Sequence, residues 1–139
     1  MAKQRKPDRP GSQLPREHRP LRRGLSFSFQ FFINRPPFEL NLSGVGYTLT
    51  LLERLRDLGG MTAQQLMSAR HSALRCHPII WSDTTQPNGF HHINEAIREQ
   101  LTPYQFSLSG NAHGRVHGFF IGDVFYVVWL DPEHQLYAR

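Results

Sequence analysis

Cysteine, lysine and long apolar runs are all scarce in this sequence of 139 residues. The single cysteine, Cys76, excludes an intrachain disulfide and any zinc site built from several cysteines. No apolar run approaches the roughly 18 residues of a membrane span, and no apolar segment of the signal-peptide type follows the basic N-terminus. We therefore expect a cytoplasmic protein without a membrane span.

The common catalytic signatures are missing as well. The sequence contains no P-loop, no G-x-G-x-x-G segment, no serine elbow and no H-E-x-x-H pair. No two carboxylates stand out as an acid-base pair, and the histidines have no cysteine partners at metal-ligand spacing. Neither a metal nor an organic cofactor is therefore expected.

Positive charge is concentrated at the N-terminus. Residues 1–23 hold eight basic residues against two acids, a net charge of +6, whereas the remainder has a net charge of −1. Four prolines and few apolar residues predict a disordered basic arm over residues 1–24. We expect the arm either to contact nucleic-acid phosphates or to serve as a solvated tail. Its basic residues are Lys3, Arg5, Lys6, Arg9, Arg16, Arg19, Arg22 and Arg23.

The periodicity of residues 25–139 predicts a single α+β domain. Alternation predicts strands over 25–32 and 104–109, and Pro78 favours an extended segment over 75–81. Helical spacing predicts helices over 47–58, 62–73 and 93–101, the second opened by a capping box of Thr62 and Gln65. The first has an apolar stripe of Leu51, Leu52, Leu55 and Leu58. These elements predict a four-stranded antiparallel sheet with helices packed on one face.

A hairpin closes the chain, and its turn sets a register. Gly122-Asp123 is a two-residue turn, so Ile121 should face Val124 and Phe119 should face Tyr126. Continuing this register pairs His117 with Val128 and Arg115 with Leu130. The apolar face, expected to be the core, carries Val116, Phe120, Phe125, Val127 and Trp129. The opposite face, expected to lie away from the core, carries His113, Arg115, His117, Phe119 and Tyr126.

Three groups of side chains are candidates for a site. His113, Arg115 and His117 occupy alternate positions of one strand, and a histidine moves protons near neutral pH while an arginine holds a phosphate. His71, Arg75 and His77 form a second group, and His134 with Tyr137 a third, which the turn at residues 131–132 could fold back to the sheet. For each group the alternative is structural: an exposed strand face, a capping arginine with half-buried histidines, and a sealed strand end.

Two resemblances bear on function. The blocks "SARHSALRCHPIIWSDTT", "YQFSLS" and "HGRVHGFFIGDVFYVVWLDPEHQLY" resemble a family of small, mostly uncharacterised bacterial proteins of mobile elements and defence loci. Helices followed by an antiparallel sheet that ends in "FYVVWLDPEHQLY" are similar to the RelE-like mRNA interferases of toxin–antitoxin systems. That second resemblance implies metal-independent RNA cleavage, with Arg115 as a sheet arginine and His134 and Tyr137 in the terminal catalytic region.

The chain differs from the RelE-like pattern in its long N-terminal arm, its many histidines and the absence of lysine after Lys6. Both free RNA and ribosome-bound mRNA therefore stay open as substrates.

Together these features favour a metal-independent endoribonuclease, a toxin or phage-defence effector of the toxin–antitoxin type. His117 or His134 would take the ribose 2′-hydroxyl proton, and Arg115 and Arg75 would hold the phosphate. Tyr126 or Tyr137 would position or stack a base. The alternative function is a non-catalytic module that binds nucleic acid or a protein. A neutralising antitoxin protein is an expected partner only of the ribonuclease.

Overall fold

The computed structural model describes residues 24–40, 45–70, 73–108 and 114–137. The predicted basic arm, apart from Gly24, lies outside the described residues, and so do His71 and His113.

The elements follow one another in an α+β order. Their bounds are β1 Ser26–Ser28, α1 Val45–Leu58, α2 Ala63–Met67, β2 His77–Pro78, a 3-10 helix Trp81–Asp83, α3 Glu95–Arg98, β3 Pro103–Ser107, β4 Arg115–Ile121 and β5 Val124–Asp131. Every predicted element has a counterpart, although most are shorter than predicted. No helix in the described part of the chain is both long and apolar enough to cross a membrane.

The sheet is mixed and, within the described residues, has five strands in the order β1-β5-β4-β3-β2. Neighbouring strands are antiparallel except for β1, which runs parallel to β5, with Ser26 opposite Val124. The predicted α+β class is confirmed, and the prediction of four antiparallel strands is corrected. The chain crosses over from β1 to β5 through all intervening elements, so the pairing of these strands is a long-range contact that periodicity does not encode.

Strand β1 covers less of the predicted segment 25–32 than its alternation suggests. The Phe32 amide donates to the Phe29 carbonyl at 3.0 Å in a turn that interrupts the strand, before the Ile33 amide donates to the Val128 carbonyl of β5 at 3.1 Å. Phe31 then packs over the sheet against Phe119, with ring centroids 5.9 Å apart. The alternating pattern therefore reflects packing on both sides of a turn as well as pairing in a strand.

Helices α1 and α2 cover one face of the sheet. Leu51 and Leu58 are buried in the core under α1, and Leu55 packs against it, but Leu52 is 60% exposed, so the predicted four-leucine stripe is too wide by one residue. One residue turns the helix by about 100°, which carries Leu52 off the buried face. The Thr62–Gln65 capping box of α2 is confirmed, with both reciprocal hydrogen bonds present. The helix ends at Met67, short of the predicted residue 73.

The C-terminal hairpin contains a β-bulge that changes the predicted register. Gly122 adopts φ 57°, as a glycine-first turn requires, and the pairs Ile121–Val124 and Phe119–Tyr126 are confirmed. Between His117 and Gly118 the register shifts, so His117 faces Trp129. Gly118 permits this close approach, because a Cβ there would lie 1.9 Å from the Tyr126 carbonyl oxygen.

The bulge sends Trp129 and Leu130 to the faces opposite those that the predicted register gives them. Arg115 faces Asp131 rather than Leu130, and His117 faces Trp129 rather than Val128. Trp129 belongs to the apolar cluster of the face opposite the helices, away from Val127, with which it was predicted to share a face.

The face opposite the helices is buried too. Residues from the segments 31–38, 79–93 and 136–137 pack over it together with three residues of the hairpin. This second cluster consists of Phe38, Ile79, Phe90, Ile93, Phe119, Val128, Trp129 and Leu136. Arg115 is therefore 6% exposed and His117 0% exposed. The expectation that this face lies away from the core is wrong, because irregular segments whose position no periodicity predicts supply its aromatic cover.

Candidate functional site

A cleft of about 310 Å³ opens at the edge of the sheet where β2, β3 and the start of β4 meet the C-terminal turn. Its lining residues are Arg75, His77, Gln105, Arg115, His134 and Tyr137. Five of the seven residues predicted to be catalytic thus lie together, although they come from three distant parts of the chain. Of the other two, His71 lies outside the described residues, and His117 lies within the sheet.

Strand pairing explains why these side chains meet. His77 of β2 faces Gln105 of β3, which in turn faces His117 of β4. The next row along the sheet places Ser107 beside Arg115, and Arg115 beside Asp131. Residues directly opposite one another in a sheet project from the same face, so the two rows form one polar patch at this end of an otherwise apolar surface.

The ring of His77 is held in a single tautomer. Its Nδ1 lies 2.9 Å from the Pro78 carbonyl oxygen, which can only accept, so Nδ1 carries the hydrogen. In the neutral ring Nε2 then keeps its lone pair and accepts from the Gln105 amide nitrogen at 3.3 Å. The ring also contacts Tyr137 edge-on, with centroids 5.9 Å apart. His77 therefore presents a proton acceptor at the cleft.

Backbone strain is concentrated at the cleft. Arg75 has φ 45° and His134 has φ 53°, the left-handed region that non-glycine residues rarely occupy. They are the two non-glycine residues with positive φ in the described part of the chain, and both line the cleft. Such strain costs roughly 1–3 kcal/mol for each residue and persists where surrounding contacts impose it, most often at functional sites.

Arg115 brings a fixed positive charge to the cleft wall. Its Nη1 donates to the Gly114 carbonyl at 3.0 Å, and its own carbonyl accepts from the Tyr47 hydroxyl at 2.9 Å. Burial and the negative charge of Asp131 raise the pKa of Tyr47, so this hydroxyl stays a donor. A guanidinium does not lose its proton in proteins. A phosphate in the cleft would therefore meet a positive charge that is already oriented.

His117 and Asp131 form a buried pair beneath the cleft. The His117 Nε2 lies 3.4 Å from the Asp131 Oδ2, and neither side chain is exposed. Burial lowers the pKa of His117; the contact with Asp131 opposes this, and the positive charge of Arg115 adds to it. The expectation that His117 takes a substrate proton is corrected here, because a ring without exposed surface cannot touch a substrate.

The Asp131 carboxylate organises the turn that carries His134. It accepts hydrogen bonds from the amides of Gln135, at 2.8 and 3.0 Å, and Leu136, at 3.1 Å. Burial alone would raise the pKa of Asp131, but its contact with the His117 ring and these two amides together hold it below its ordinary value. The carboxylate is therefore ionised at neutral pH.

Tyr126, predicted to contact RNA, lies away from the cleft. It lines a separate, larger groove of about 810 Å³ at the other end of the hairpin, together with Phe31 and Phe120. Its ring stacks on Phe119 at 5.0 Å. The structure therefore does not bring Tyr126 together with Arg115, although the two share a face of the predicted hairpin.

Sequence reasoning missed Gln105 and Asp131. Gln105 is a polar position of the alternating segment "YQFSLS", and its 2% exposure is the feature that marks it. Asp131 was interpreted only as the start of a turn, although an aspartate whose side chain accepts from amides a few residues later is a known turn device. Neither burial nor the direction of a carboxylate can be derived from these local patterns.

Comparison of the chain with protein-family models, curated proteins and solved structures finds no match. The resemblances to defence-locus proteins and to RelE-like interferases therefore stay predictions. Among the described residues, no group of three or more His, Cys, Asp and Glu is arranged to hold a metal ion. Burial raises the pKa of the Cys76 thiol to about 12, so this residue is not a thiolate nucleophile at neutral pH.

Proposed function

We propose that the cleft binds a phosphodiester of RNA and cleaves it without a metal, using the ribose 2′-hydroxyl as the nucleophile. The observation that carries this proposal is the convergence of two arginines and two histidines, Arg75, Arg115, His77 and His134, on one cleft. Cleavage of this kind needs a base, an acid and positive charge at the phosphate. The cleft volume lies at the lower end of the range for small-ligand sites, which suits a single phosphate and its sugar.

His77 is the candidate general base. Its Nε2 lone pair faces Gln105 at 3.3 Å, a long hydrogen bond that a substrate hydroxyl could replace. As Nε2 takes the 2′-hydroxyl proton, the oxygen attacks phosphorus and the bond to the 5′-oxygen breaks. His134, in its protonated form, would donate a proton to that leaving oxygen. The products are a 2′,3′-cyclic phosphate and a free 5′-hydroxyl.

The two arginines differ in exposure to solvent and would have different roles. Arg115 is 6% exposed and held by Gly114, so it would stabilise the charge that develops on the phosphate. Arg75 is exposed and would recruit the phosphate from solution. Tyr137 presents a half-buried ring beside His77, on which a base could stack.

RNA cleavage in the presence of EDTA tests this proposal. Arg75→Ala and His77→Ala should each lower the rate about 10²-fold, the scale of losing a positioned charge or a general base. Matched controls are Arg70→Ala and His91→Ala, since both residues are exposed and outside the cleft. Circular dichroism would show that all four variants are folded. The expected product carries a 2′,3′-cyclic phosphate.

If the wild-type protein cuts neither free nor ribosome-bound RNA, the proposed ribonuclease activity is refuted. Binding without cutting would support the alternative, a nucleic-acid-binding module that uses the same arginines. The RelE-like resemblance adds a toxin or phage-defence role, with an antitoxin protein as partner, to the ribonuclease proposal.

A further inference from the structure

The side chain of Asp131 joins the two walls of the cleft. Asp131 is the last residue of β5 and lies opposite Arg115 in the sheet. On the other side its carboxylate accepts from the amides of Gln135 and Leu136. The strand that carries Arg115 and the turn that carries His134 therefore meet at Asp131, which is fully buried.

The turn needs such an anchor because its backbone is strained. His134 has φ 53°, and its amide makes a long hydrogen bond of 3.4 Å to the Asp131 carbonyl. A non-glycine residue keeps this conformation only where its surroundings impose it. Next to His134, the Gln135 amide makes the shortest contact of the turn with the carboxylate, at 2.8 Å. The carboxylate thus fixes the peptide unit that follows the strained residue.

A second set of contacts holds the far end of the turn independently. The Thr85 amide donates to the Leu136 carbonyl at 2.7 Å, and the Thr85 hydroxyl lies within hydrogen-bond distance of the carbonyls of Gln135 and Leu136. Tyr137 also forms a bridge with Thr84. Loss of the carboxylate should therefore release residues around His134 while Tyr137 stays in place.

From these contacts we propose that Asp131 is the positioning residue of the cleft, which holds His134 on the cleft wall through the amides of Gln135 and Leu136. Asp131 itself has no exposed surface and would not touch a substrate. Its role depends on a charged carboxylate, which offers acceptor lone pairs on both oxygens, whereas an asparagine would turn an NH2 group toward one of the two amides. The part of this inference that concerns ligand binding rests on the proposed function of the cleft.

Amide hydrogen exchange measured by NMR on Asp131→Asn tests the positioning role directly. The Gln135 and Leu136 amides should exchange at least about tenfold faster than in the wild type, because each amide loses its charged acceptor. The Thr85 amide and the signals of Tyr137 should change little. Asp57→Asn is the matched control, since it removes the same charge from an exposed site on α1. Protected Gln135 and Leu136 amides in Asp131→Asn, or equal loss of protection at Thr85, would overturn the proposal.

A wild-type experiment keeps the proposal testable if Asp131→Asn fails to fold. The amide proton shifts of Gln135 and Leu136 should follow the titration of a carboxylate whose pKa lies below that of an ordinary aspartate. Amide shifts that stay constant across the acidic range would contradict the hydrogen bonds on which the proposal depends.

Uridine 3′-monophosphate, which resembles a product and cannot be cleaved, measures the consequence for the cleft. Its affinity should fall about 3- to 10-fold in Asp131→Asn, the scale of ordering a loop side chain again on binding. Asp57→Asn should bind it as the wild type does. If the Gln135 and Leu136 amides lose protection while the affinity for uridine 3′-monophosphate stays unchanged, the role of Asp131 in ligand binding is overturned. Released amides and weaker binding in a protein that never cuts RNA would support the positioning role and refute the ribonuclease alone.

Discussion

At the scale of single residues, the buried pair of His117 and Asp131 shows how position decides what a titratable side chain does. His117 looked like a base on a strand, yet it has no exposed surface, and its ring packs edge-on against Phe38 with centroids 5.3 Å apart. Asp131 looked like a turn residue, yet its carboxylate meets the His117 ring and two amides. Both residues support the cleft from beneath rather than lining it.

The buried ring of His117 predicts a pH dependence of stability. Its pKa in the folded protein lies below the ordinary value of 6.5, so the unfolded chain binds the proton first as the pH falls. The free energy of unfolding should therefore decrease as the pH drops below about 6.5, until the pKa of the folded state is reached. Urea denaturation between about pH 8 and about pH 5 measures this slope.

A pair of variants tests whether His117 causes this pH dependence of the free energy of unfolding. His117→Phe should flatten it, because an aromatic ring of similar shape fills the site without titrating. His92→Ala should retain the slope, since this histidine lies on a loop and is exposed. A slope that survives in His117→Phe would show that another group causes it.

At the scale of elements, the β-bulge decides which face of β5 each side chain occupies. Val127 packs on the helix side and Trp129 on the other side, where it stacks on Phe38 with ring centroids 4.7 Å apart. Trp129 was predicted to be buried and is 1% exposed, although it lies on the face predicted to be polar. Its burial therefore does not test the hairpin register, since both faces of the sheet are covered.

Gly118 is the residue that should test the register. A Cβ at this position would lie 1.9 Å from the Tyr126 carbonyl oxygen, which is backbone and cannot yield easily. Gly118→Ala should therefore lower the free energy of unfolding by about 1–3 kcal/mol, the scale of forcing extra volume into a packed core. Thermal or urea denaturation measures the change.

Gly46→Ala is the matched control. Apart from its chain neighbours and the adjacent backbone of α1, no atom lies within 4 Å of a Cβ at this position, and alanine favours helix more than glycine does. This variant should be as stable as the wild type or up to about 1 kcal/mol more stable. If Gly118→Ala matched it, the bulge at His117 and Gly118 would be contradicted.

At the scale of the whole molecule, the net positive charge lies in residues 1–23, outside the α+β domain. The folded domain has nearly balanced charge, and its cleft arginines are single residues rather than a broad basic surface. Long-range attraction to RNA would thus come from the N-terminal arm, with a net charge of +6, while the cleft would select the phosphodiester that reacts.

Deleting residues 1–23 should weaken RNA binding and flatten its salt dependence. The logarithmic slope should fall by about 0.7 for each phosphate of the single strand that the arm neutralises in the full chain. The domain should stay folded, because the sequence of this segment has few apolar residues that a core could lose. Filter binding of a single-stranded RNA across a range of salt concentrations measures both quantities. An unchanged slope would show that the arm does not bind phosphates.

The sequence by itself determined features that depend on neighbours along the chain. The capping box at Thr62, the Gly122-Asp123 turn and the helix that ends at Leu58 involve residues within a few positions of one another. Hydrogen bonds and φ preferences of that range are encoded by residue type and spacing. The concentration of positive charge in residues 1–23 is likewise a property of the sequence alone.

Only the tertiary structure decided what depends on distant segments. These contacts are the parallel pairing of β1 with β5, the cover over the second face of the sheet, and the meeting of Arg75 and His77 with Arg115 and His134. The strand pair joins residues about 100 positions apart, and the cleft joins residues about 40 to 60 positions apart. No period or cap specifies such contacts, because they arise when whole elements pack and bury their apolar faces. The candidate site residues could therefore be named from the sequence. Only the fold shows which of them line the cleft and which lie buried beneath it.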